Sequence, residues 1–273
     1  MRLDVKLVKM NMATSREKAK ELILSGSVLV AGEVVCKPNF RVGDDELINI
    51  DVKSASPCYA SRGAFKIMWA AQEFRVSFYG KQILDLGSST GGFTDFALQK
   101  GAKNVICVDV GYGLLDWKLR NDPRVFVMER TNARYLKPED VPYLAEIVMG
   151  DLSFISLKLI ISSAARCSKE DAILIFLVKP QFEVGRSKVE RGGIVKDEAA
   201  IKDSILTVCK TLSDNHIDFI DITFSPIKNR RGNVEYFIHA GKGGLLVMTE
   251  EIEKKIDEII VRAKNFFEEE ARN

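Results

Sequence analysis

The spacing of hydrophobic positions changes once along the chain, near residue 50. Before that point, apolar side chains follow helical spacing over residues 3–8 and again over 19–23, and Thr14 and Glu17 form a capping-box pattern ahead of the second segment. Short apolar runs of strand type follow at 28–30, 34–35 and 47–50. This order predicts two helices, a β-hairpin and a closing strand, which together make a small α+β unit.

From residue 63 onward, short apolar and β-branched runs alternate with longer amphipathic segments. The predicted strands are 83–86, 105–108, 125–128, 147–149, 173–178, 219–223 and 235–240. One predicted helix runs through Phe93, Phe96 and Leu98, and two more cover 157–166 and 198–212. A long helical tail from Thr249 is expected to dock on the body. Near-continuous apolar strands that alternate with helices are typical of a parallel sheet covered on both faces. An α/β domain is therefore predicted.

The two patterns meet in a segment without periodicity, where Ser54, Ser56 and Pro57 lie close together. Such a composition is typical of a connection between domains. The predicted organisation is a first domain at 1–52, a linker at 53–62 and a second domain at 63–273.

Composition narrows the class of protein. The 273 residues are 46% hydrophobic and 29% charged, so the chain can form a core, and its net charge of +2 excludes a polybasic coat. The longest apolar run, 172–178, is far shorter than the roughly 20 residues that span a bilayer, and residues 1–4 begin no stretch of signal-peptide type. Five scattered cysteines without a CxxC pair are expected to be reduced thiols, and the two histidines leave little for a metal centre. A cytoplasmic protein without a bound metal is expected.

A strand, a glycine-rich turn and a helix follow one another at residues 84–93 (LDLGSSTGGF). Such a turn lies at the edge of an α/β sheet where nucleotides bind, and Gly87 lets the backbone lie against a ligand. Asp109 follows Gly87 by twenty-two residues, where a carboxylate can bind both hydroxyls of a ribose. The glycine spacings of dinucleotide-binding enzymes and of P-loops are missing. The turn is better suited to S-adenosylmethionine, which has no pyrophosphate; an ordinary strand-to-helix turn is the alternative.

Two further strand ends carry candidate chemistry. Asp151 follows one strand without the proline that accompanies methylation of base amines, and neither strand-end motif supplies a cysteine nucleophile, so a hydroxyl is the favoured acceptor. Lys179 ends a buried strand, where an unpaired lysine is costly. Because Asp151 ends the neighbouring strand, the two side chains are expected to pair. Lys66 and Glu235 are further candidates, although each by itself reads as an ordinary exposed charge.

Taken together, Lys66, Asp151, Lys179 and Glu235 resemble the Lys-Asp-Lys-Glu tetrad of FtsJ-like ribose 2′-O-methyltransferases. The stretches SRGAFK, LDLGSSTGGFT, VDVG, GDLSFISL, LVKPQFE and GNVEYF extend the resemblance to the TlyA family along nearly the whole chain. Residues 1–50 resemble the small RNA-binding module first known from ribosomal protein S-four. The resemblance implies a Rossmann-like seven-stranded methyltransferase sheet preceded by a small α+β RNA-binding domain.

The resemblance also implies the reaction, which is methyl transfer to the 2′-hydroxyl of a cytidine in ribosomal RNA. The four tetrad residues would be catalytic, with Lys66, Lys179 and Glu235 holding the hydroxyl in line with the methyl group. The implied S-adenosylmethionine-binding residues are Asp85, Gly87, Ser88, Ser89, Gly91, Gly92, Phe93, Asp109, Asn132 and Asp151. Lys179 is a candidate general base. Burial, Lys66 and the sulfonium favour its neutral form, whereas Asp151 favours its charged form, so base and orienting roles both stay open.

Basic residues collect in three places that suit RNA phosphates. Residues 2–41 contain eight basic and four acidic side chains, the glycine-hinged stretch 184–193 reads as a flap over the site, and Lys228 begins a cluster just before Glu235. For the basic residues, solvated loops and helix faces are the alternative. The predicted RNA-binding residues are Arg2, Arg16, Lys18, Lys20, Arg62, Arg186, Lys188, Arg191, Arg230 and Arg231.

Two functions of other classes stay open at this point. One is a membrane-acting hemolysin, a label that the family often carries, and the other is a ribosome-assembly factor that binds RNA without catalysis. In the family, members that modify both ribosomal subunits carry a basic extension before the first helix, so a start at Arg2 favours the large subunit alone. The partners are expected to be ribosomal RNA or ribosomal subunits, with the protein acting as a monomer.

Overall fold

The computed structural model describes residues 1–24, 26–43, 45–51, 59–229, 231–242 and 250–270, apart from the side chains of Glu17, Glu21, Leu24 and Glu270. The chain divides into two compact units, Met1–Tyr59 and Ala60–Asn273. Residues 53–58 of the predicted linker lie outside the described residues. The finer boundaries, with domains at 1–52 and 63–273, therefore stay predictions.

In the first unit, two helices pack on three short strands. The helices are α1 (Leu3–Lys9) and α2 (Arg16–Leu24), and the strands are β1 (Val28–Val30), β2 (Glu33–Val34) and β3 (Ile48–Ile50). The strands are antiparallel in the order β2-β1-β3, and side chains such as Leu7 and Ile23 are fully buried. The predicted order of elements is confirmed. One detail differs, because the residue before α2 is Ser15, whose hydroxyl rather than that of Thr14 accepts the Lys18 N–H at 3.2 Å.

A seven-stranded sheet forms the centre of the second unit. Its strands are β4 (Gln82–Leu86), β5 (Asn104–Val108), β6 (Val125–Met128), β7 (Ala145–Gly150), β8 (Ser168–Val178), β9 (Ile217–Phe224) and β10 (Tyr236–Lys242). The α-helices in its described part are α3 (Gly63–Glu73), α4 (Gly92–Gln99), α5 (Trp117–Arg120), α6 (Ile161–Arg166), α7 (Pro180–Glu183), α8 (Glu198–Asp214) and α9 (Glu250–Glu270). Single 3₁₀ turns lie at Ala133–Tyr135, Pro138–Asp140, Leu157–Leu159 and Arg186–Lys188.

The strand order is β6-β5-β4-β7-β8-β10-β9, and the first five of these strands are parallel. Strand β10 is antiparallel to both neighbours, so the expectation of a wholly parallel sheet is wrong at this strand. The physical reason lies in residues 225–235, which connect β9 to β10. Neighbouring parallel strands need a longer crossover connection, usually a helix, and residues 225–235 contain no helix in their described part. The α/β class with a Rossmann-like seven-stranded sheet is confirmed.

The register of the central strands brings three strand ends together. Leu86 at the end of β4 pairs with Gly150 at the end of β7, and Gly150 pairs with Phe176 near the end of β8. The loops that follow these strands therefore begin side by side at one edge of the sheet.

The tail helix α9 docks on the second unit as predicted. Ile252, Ile256 and Ile259 are buried in the main core, and the ring of Phe267 lies 6.1 Å from that of Phe224 in β9. Helix α3 has no counterpart among the predicted elements, although Lys66 lies on it.

The cysteines depart in part from the expectation of five reduced thiols. Cys107, Cys167 and Cys209 are free and buried. Cys36 is disulfide-bonded, so the expectation is wrong for this residue, and Cys58 lies outside the described residues. Spacing along a sequence does not show which thiols come within the Cα distance that a disulfide requires.

Candidate active site

The turn after β4 approaches neighbouring segments so closely that only glycine fits at several positions. Gly87 has a φ of +80°, and a Cβ there would lie 2.9 Å from the carbonyl oxygen of Asp151. A Cβ on Gly92 would lie 2.3 Å from the hydroxyl oxygen of Ser61, and Gly91, the N-cap of α4, has a φ of +90°. The missing side chains let this turn pack against the loop after β7 and the start of α3.

Three of the side chains predicted to bind the cofactor are buried in the protein. The Thr94 hydroxyl donates a hydrogen bond of 2.6 Å to Oδ2 of Asp85, and burial raises the pKa of Asp85 to about 7. The ring of Phe93 lies 6.1 Å from that of Phe237, and Ser88 is buried as well. These three side chains support the turn from within.

Asp109 links the segments that follow three parallel strands. Its Oδ2 accepts the Ser89 N–H at 2.8 Å, and its Oδ1 accepts the Gly111 N–H at 2.7 Å. Its carbonyl oxygen accepts the Thr131 N–H at 2.9 Å, which brings the next residue, exposed Asn132, to the same edge of the sheet. Each carboxylate oxygen has a further lone pair, so Asp109 can still accept hydrogen bonds from ribose hydroxyls.

Four charged side chains from four segments converge beside Gly87. Lys66 lies on α3, Asp151 follows β7, Lys179 follows β8, and Glu235 precedes β10. Lys66 Nζ lies 2.6 Å from Glu235 Oε2 and 3.8 Å from Asp151 Oδ2. Lys179 Nζ lies 2.6 Å from Asp151 Oδ1, so the expected pair is present. The four residues form one chain of alternating charges, in the order Glu235, Lys66, Asp151 and Lys179.

The neighbouring charges of this cluster act on the pKa of Asp151. Lys66, Lys179 and Glu235 are buried, and the side chain of Asp151 is 21% exposed. Burial acts to raise the pKa of Asp151, but the charges of Lys179 and Lys66 outweigh it, and this pKa lies below its ordinary value. Asp151 is therefore ionised at neutral pH. Removing one member of a buried ion pair costs about 3–5 kcal/mol, so each charge here keeps its neighbours in place.

Ser153 and Phe154, which follow Asp151 in the same loop, were not among the predicted site residues. The hydroxyl oxygen of Ser153 lies 2.7 Å from Lys179 Nζ, which donates to it. Phe154 is 87% exposed with a φ of +64°, and its ring lies 5.3 Å from that of Phe182. Both belong to the GDLSFISL stretch. An aromatic residue four positions after the end of β7 was the available signal.

A third missed residue, Asn233, joins the predicted flap to the basic cluster before Glu235. Its Nδ2 donates to the Gly193 carbonyl at 2.8 Å, and its Oδ1 accepts the Val195 N–H at 2.9 Å. The guanidinium of Arg231 lies over Gly193, where a Cβ would come within 2.2 Å of Nη1. The two basic segments, which are separate in sequence, therefore adjoin in the structure.

The predicted RNA-binding residues are distributed over both units. In the second unit Arg62, Arg186, Arg191 and Arg231 are exposed, Lys188 pairs with Asp203 at 3.0 Å, and Arg230 lies outside the described residues. Lys228, which begins the basic cluster before Glu235, is exposed, and its ammonium lies 4.4 Å from the centre of the Phe267 ring. In the first unit, Arg16, Lys18 and Lys20 lie on α2 and Arg2 precedes α1.

The described part of the chain lacks two kinds of feature. It contains no group of three or more His, Cys, Asp or Glu side chains that could hold a metal ion. Within the same residues, no helix has both the length and the apolar character needed to cross a membrane.

Two family profiles match the chain. The FtsJ-like methyltransferase profile matches residues 59–242, which include all four residues of the charge cluster. The S4 domain profile matches residues 1–48, within the first compact unit.

Individual proteins are similar over most of the chain. The 16S/23S rRNA (cytidine-2′-O)-methyltransferase TlyA of Mycobacterium tuberculosis is 42% identical over 87% of this chain and 88% of its own. The 23S rRNA (cytidine-2′-O)-methyltransferase TlyA of Campylobacter jejuni is 32% identical over 88% of this chain and 98% of its own. A solved structure from Streptococcus thermophilus that carries the name of a hemolysin is 35% identical, covers 100% of this chain and 98% of its own, and gives a TM-score of 0.77.

Proposed function

This chain belongs to the TlyA family of FtsJ-like methyltransferases, and from that membership we propose that it methylates the ribose 2′-hydroxyl of a cytidine in ribosomal RNA. S-adenosylmethionine is the proposed methyl donor. Both relatives described above have 23S rRNA in their names, so RNA of the large subunit is the first substrate to test.

The observation that carries this proposal is the alternating cluster of Glu235, Lys66, Asp151 and Lys179 beside Gly87. A hydroxyl that attacks a methyl group must be held in line with it, and hydrogen-bond donors at its oxygen do this. Lysine ammonium groups are such donors, and the two carboxylates fix their positions. Buried ion pairs seldom add stability over apolar residues of the same volume, so a role in the reaction explains these four charges better than a role in folding.

The crevice beside the turn suits S-adenosylmethionine, which when bound supplies a methyl group on a positively charged sulfur. The space at Gly87, which a Cβ would fill, lets the backbone lie against the cofactor. Asp109 would hold the ribose hydroxyls, and Asn132 offers an exposed amide at the same edge. Asp85, Ser88 and Phe93 would act by shaping the turn.

Within this proposal, Lys179 orients the hydroxyl and does not remove its proton. Asp151 is ionised and lies 2.6 Å from Lys179 Nζ, so its carboxylate fixes the position of the Lys179 side chain. Lys179 Nζ donates to the Ser153 hydroxyl and forms an ion pair with Asp151 Oδ1, and it can donate a further hydrogen bond to the ribose oxygen. The proton then leaves to solvent as the oxygen–carbon bond forms.

The surface around the cluster suits an RNA substrate. Arg186, Arg191 and Arg231 lie on the two adjoining loops that Asn233 joins. Phe154, exposed after the same strand as Asp151, offers a ring on which a nucleobase can stack, a contact worth about 1–3 kcal/mol.

The test is a methylation assay with mapping of the product. Purified protein is incubated with labelled S-adenosylmethionine and with unmodified ribosomal subunits or free rRNA, and the labelled nucleotide is identified by mass spectrometry. We expect 2′-O-methylcytidine in 23S rRNA. Label on a base, or no transfer to any rRNA substrate, would contradict the proposal.

Lys179→Ala is expected to lower turnover by at least about 100-fold, because it removes the donor that orients the hydroxyl. Lys169→Ala is the matched control, since Lys169 lies near the opposite end of the same strand and forms an ion pair of 3.9 Å with Glu146, outside the cluster. Near-normal turnover in Lys179→Ala would remove the tetrad assignment. Erythrocyte lysis assayed with the same preparation tests the hemolysin alternative.

A further inference from the structure

A buried carboxylate lies beneath two arginines of the first unit whose side chains are partly exposed. Asp4 is 0% exposed, whereas the side chains of Arg2 and Arg16 are 42% and 52% exposed. Arg2 donates from Nε to Oδ1 at 2.9 Å and from Nη2 to Oδ2 at 3.0 Å. Arg16 donates from Nη2 to Oδ2 at 2.9 Å. Two guanidinium groups that are fourteen residues apart in sequence therefore meet at one carboxylate.

The Asp4 carboxylate is fully engaged within its own unit. Its Oδ1 also accepts the Val5 N–H at 3.0 Å, so each oxygen has two donors. The hydrogen bonds from Arg2, above all, lower the pKa of Asp4 to about 2. The carboxylate is therefore ionised throughout the neutral range, where it can accept hydrogen bonds from both guanidinium groups.

A third arginine lies beside this pair. Arg2 and Arg41 form an antiparallel bridge, supported by a hydrogen bond of 2.8 Å from the Leu3 N–H to the Phe40 carbonyl. Residues opposite each other in an antiparallel pair have their Cβ atoms about 5 Å apart on the same face. Exposed Arg41 therefore adjoins Arg2.

This arrangement has the properties of a preorganised anion site. A free arginine side chain loses up to about 2 kcal/mol of conformational entropy when it is immobilised on binding, whereas Arg2 and Arg16 are already immobilised by Asp4. The guanidinium edges that face solvent fit the oxygen atoms of a phosphate, which accept two parallel hydrogen bonds. The carboxylate beneath them also offsets the repulsion between the two cations.

We propose that Arg2, Arg16 and Arg41 form a clamp for an RNA phosphate and that Asp4 is the positioning residue of this clamp. The inference rests on the proposed function, because it takes RNA as the polymer that this unit binds. Asp4 itself would repel a phosphate, so it acts only through the two arginines.

The direction in which RNA affinity changes when the charge of Asp4 is removed tests this proposal. Asp4→Asn makes the protein more positive, so charge alone predicts tighter binding of RNA, whereas loss of the positioned clamp predicts weaker binding. With the full-length protein and in vitro transcribed 23S rRNA at fixed salt, we expect affinity to fall by at least about fivefold. Glu33→Gln removes an exposed carboxylate of the same unit and is expected to leave affinity unchanged or slightly higher. Equal or tighter binding by a folded Asp4→Asn protein would overturn the proposal.

Two further comparisons separate positioning from a purely structural role. In a protein that already carries Arg2→Ala and Arg16→Ala, Asp4→Asn is expected to change RNA affinity no further, because the groups through which it acts are gone. Arg41→Ala is expected to weaken binding by about threefold, whereas Lys210→Ala, which removes one exposed charge from α8, has no such effect. Additive losses, or equal effects of Arg41→Ala and Lys210→Ala, would count against the clamp.

The outcome stays decisive if Asp4→Asn unfolds the first unit, which hydrogen exchange over residues 1–24 would reveal. Arg2→Lys then replaces it, since lysine keeps the charge and loses the two-pronged geometry. Weaker RNA binding by Arg2→Lys supports the clamp and unchanged binding refutes it. If the wild type methylates rRNA and these variants bind RNA as tightly as the wild type, the clamp is refuted and the proposed function stands. A wild-type protein that binds RNA without methylating it sinks the proposed function alone.

Discussion

Asp85 lies under the glycine-rich turn with Oδ2 bonded to the Thr94 hydroxyl and Oδ1 without a hydrogen-bond partner among the described residues. Burial raises its pKa from 3.8 to about 7. Between these two values the folded protein retains the proton and the unfolded chain releases it. Because the folded state then binds more protons, the contribution of Asp85 to stability falls as pH rises from about 4 to about 7.

Asp85→Asn is expected to remove this pH dependence, since the amide oxygen can still accept from Thr94 and no charge has to be buried. Melting temperatures of the two proteins between about pH 5 and about pH 8 test it, and the variant should gain on the wild type as pH rises. Glu139→Gln, at an exposed carboxylate, is the control and should run parallel to the wild type. Parallel curves for Asp85→Asn would show that the buried carboxyl does not titrate in this range.

Lys179 leads to a second prediction, which concerns the rate. If Lys179 only orients the hydroxyl, single-turnover methylation should vary by no more than about threefold between about pH 7 and about pH 9, because the rate then does not depend on a side chain that removes the proton. A tenfold rise per pH unit that is lost in Lys179→Arg would instead identify Lys179 as the base. Measurement under saturating RNA and S-adenosylmethionine keeps binding effects out of the profile.

The sequence predicted individual site residues unequally well. Asp151 and Lys179 could be paired in advance because parallel strands end at one edge of a sheet, and their nitrogen and oxygen atoms lie 2.6 Å apart. Lys66 and Glu235 could be selected only by resemblance, since no local pattern brings together residues that are 169 positions apart. Asp4 could not be found, because a single acidic residue on a short helix gives no sign that its side chain is buried under two arginines.

At the scale of elements, the loops on either side of the cluster are joined by Asn233. Replacing it with alanine leaves the buried Val195 N–H without an acceptor and the Gly193 carbonyl without its donor. Such a loss costs about 1–3 kcal/mol, so the flap is expected to open more often. Hydrogen exchange over residues 190–196 should accelerate in Asn233→Ala and rRNA methylation should slow.

Two further variants test whether Asn233 acts through these two hydrogen bonds. Asn233→Asp keeps the acceptor for Val195 but sets a carboxylate oxygen against the Gly193 carbonyl oxygen, so it should open the flap at least as much as alanine. Asn121→Ala removes an exposed amide that donates to the Trp117 carbonyl at 2.7 Å, and it should leave the flap unchanged. Flap exchange in Asn233→Ala equal to that of the wild type would show that other contacts hold the loop.

The elements themselves were largely predictable, and the exceptions have physical causes. Strands such as β5 and the long helix α9 follow from apolar spacing alone. Helix α3 was missed because it begins at Gly63, and glycine has a low helix propensity. In the folded chain, α3 is supported by packing on α4. The reversal of β10 was missed because apolar content shows that a strand is buried and says nothing of its direction.

For the whole molecule, a net charge of +2 means that RNA affinity must come from local basic patches and not from a general attraction. One such patch, Arg2 and Arg16, lies in the unit of Met1–Tyr59, and another, Arg186 and Arg231, lies in the unit of Ala60–Asn273. The proposed S-adenosylmethionine crevice belongs to the second unit alone.

This division predicts that the two ligands respond to different variants. Arg2→Ala with Arg16→Ala, and Arg186→Ala with Arg231→Ala, should each weaken rRNA binding and lower its logarithmic salt dependence by about 0.7 per lost phosphate contact. Calorimetry should show unchanged affinity for S-adenosylmethionine in both double variants. Asp109→Ala should have the opposite effect: it should lose affinity for S-adenosylmethionine and keep its affinity for rRNA. If the arginine pairs left the salt dependence intact, RNA would have to bind elsewhere on the chain, because counterion release follows directly from the number of phosphates that are neutralised.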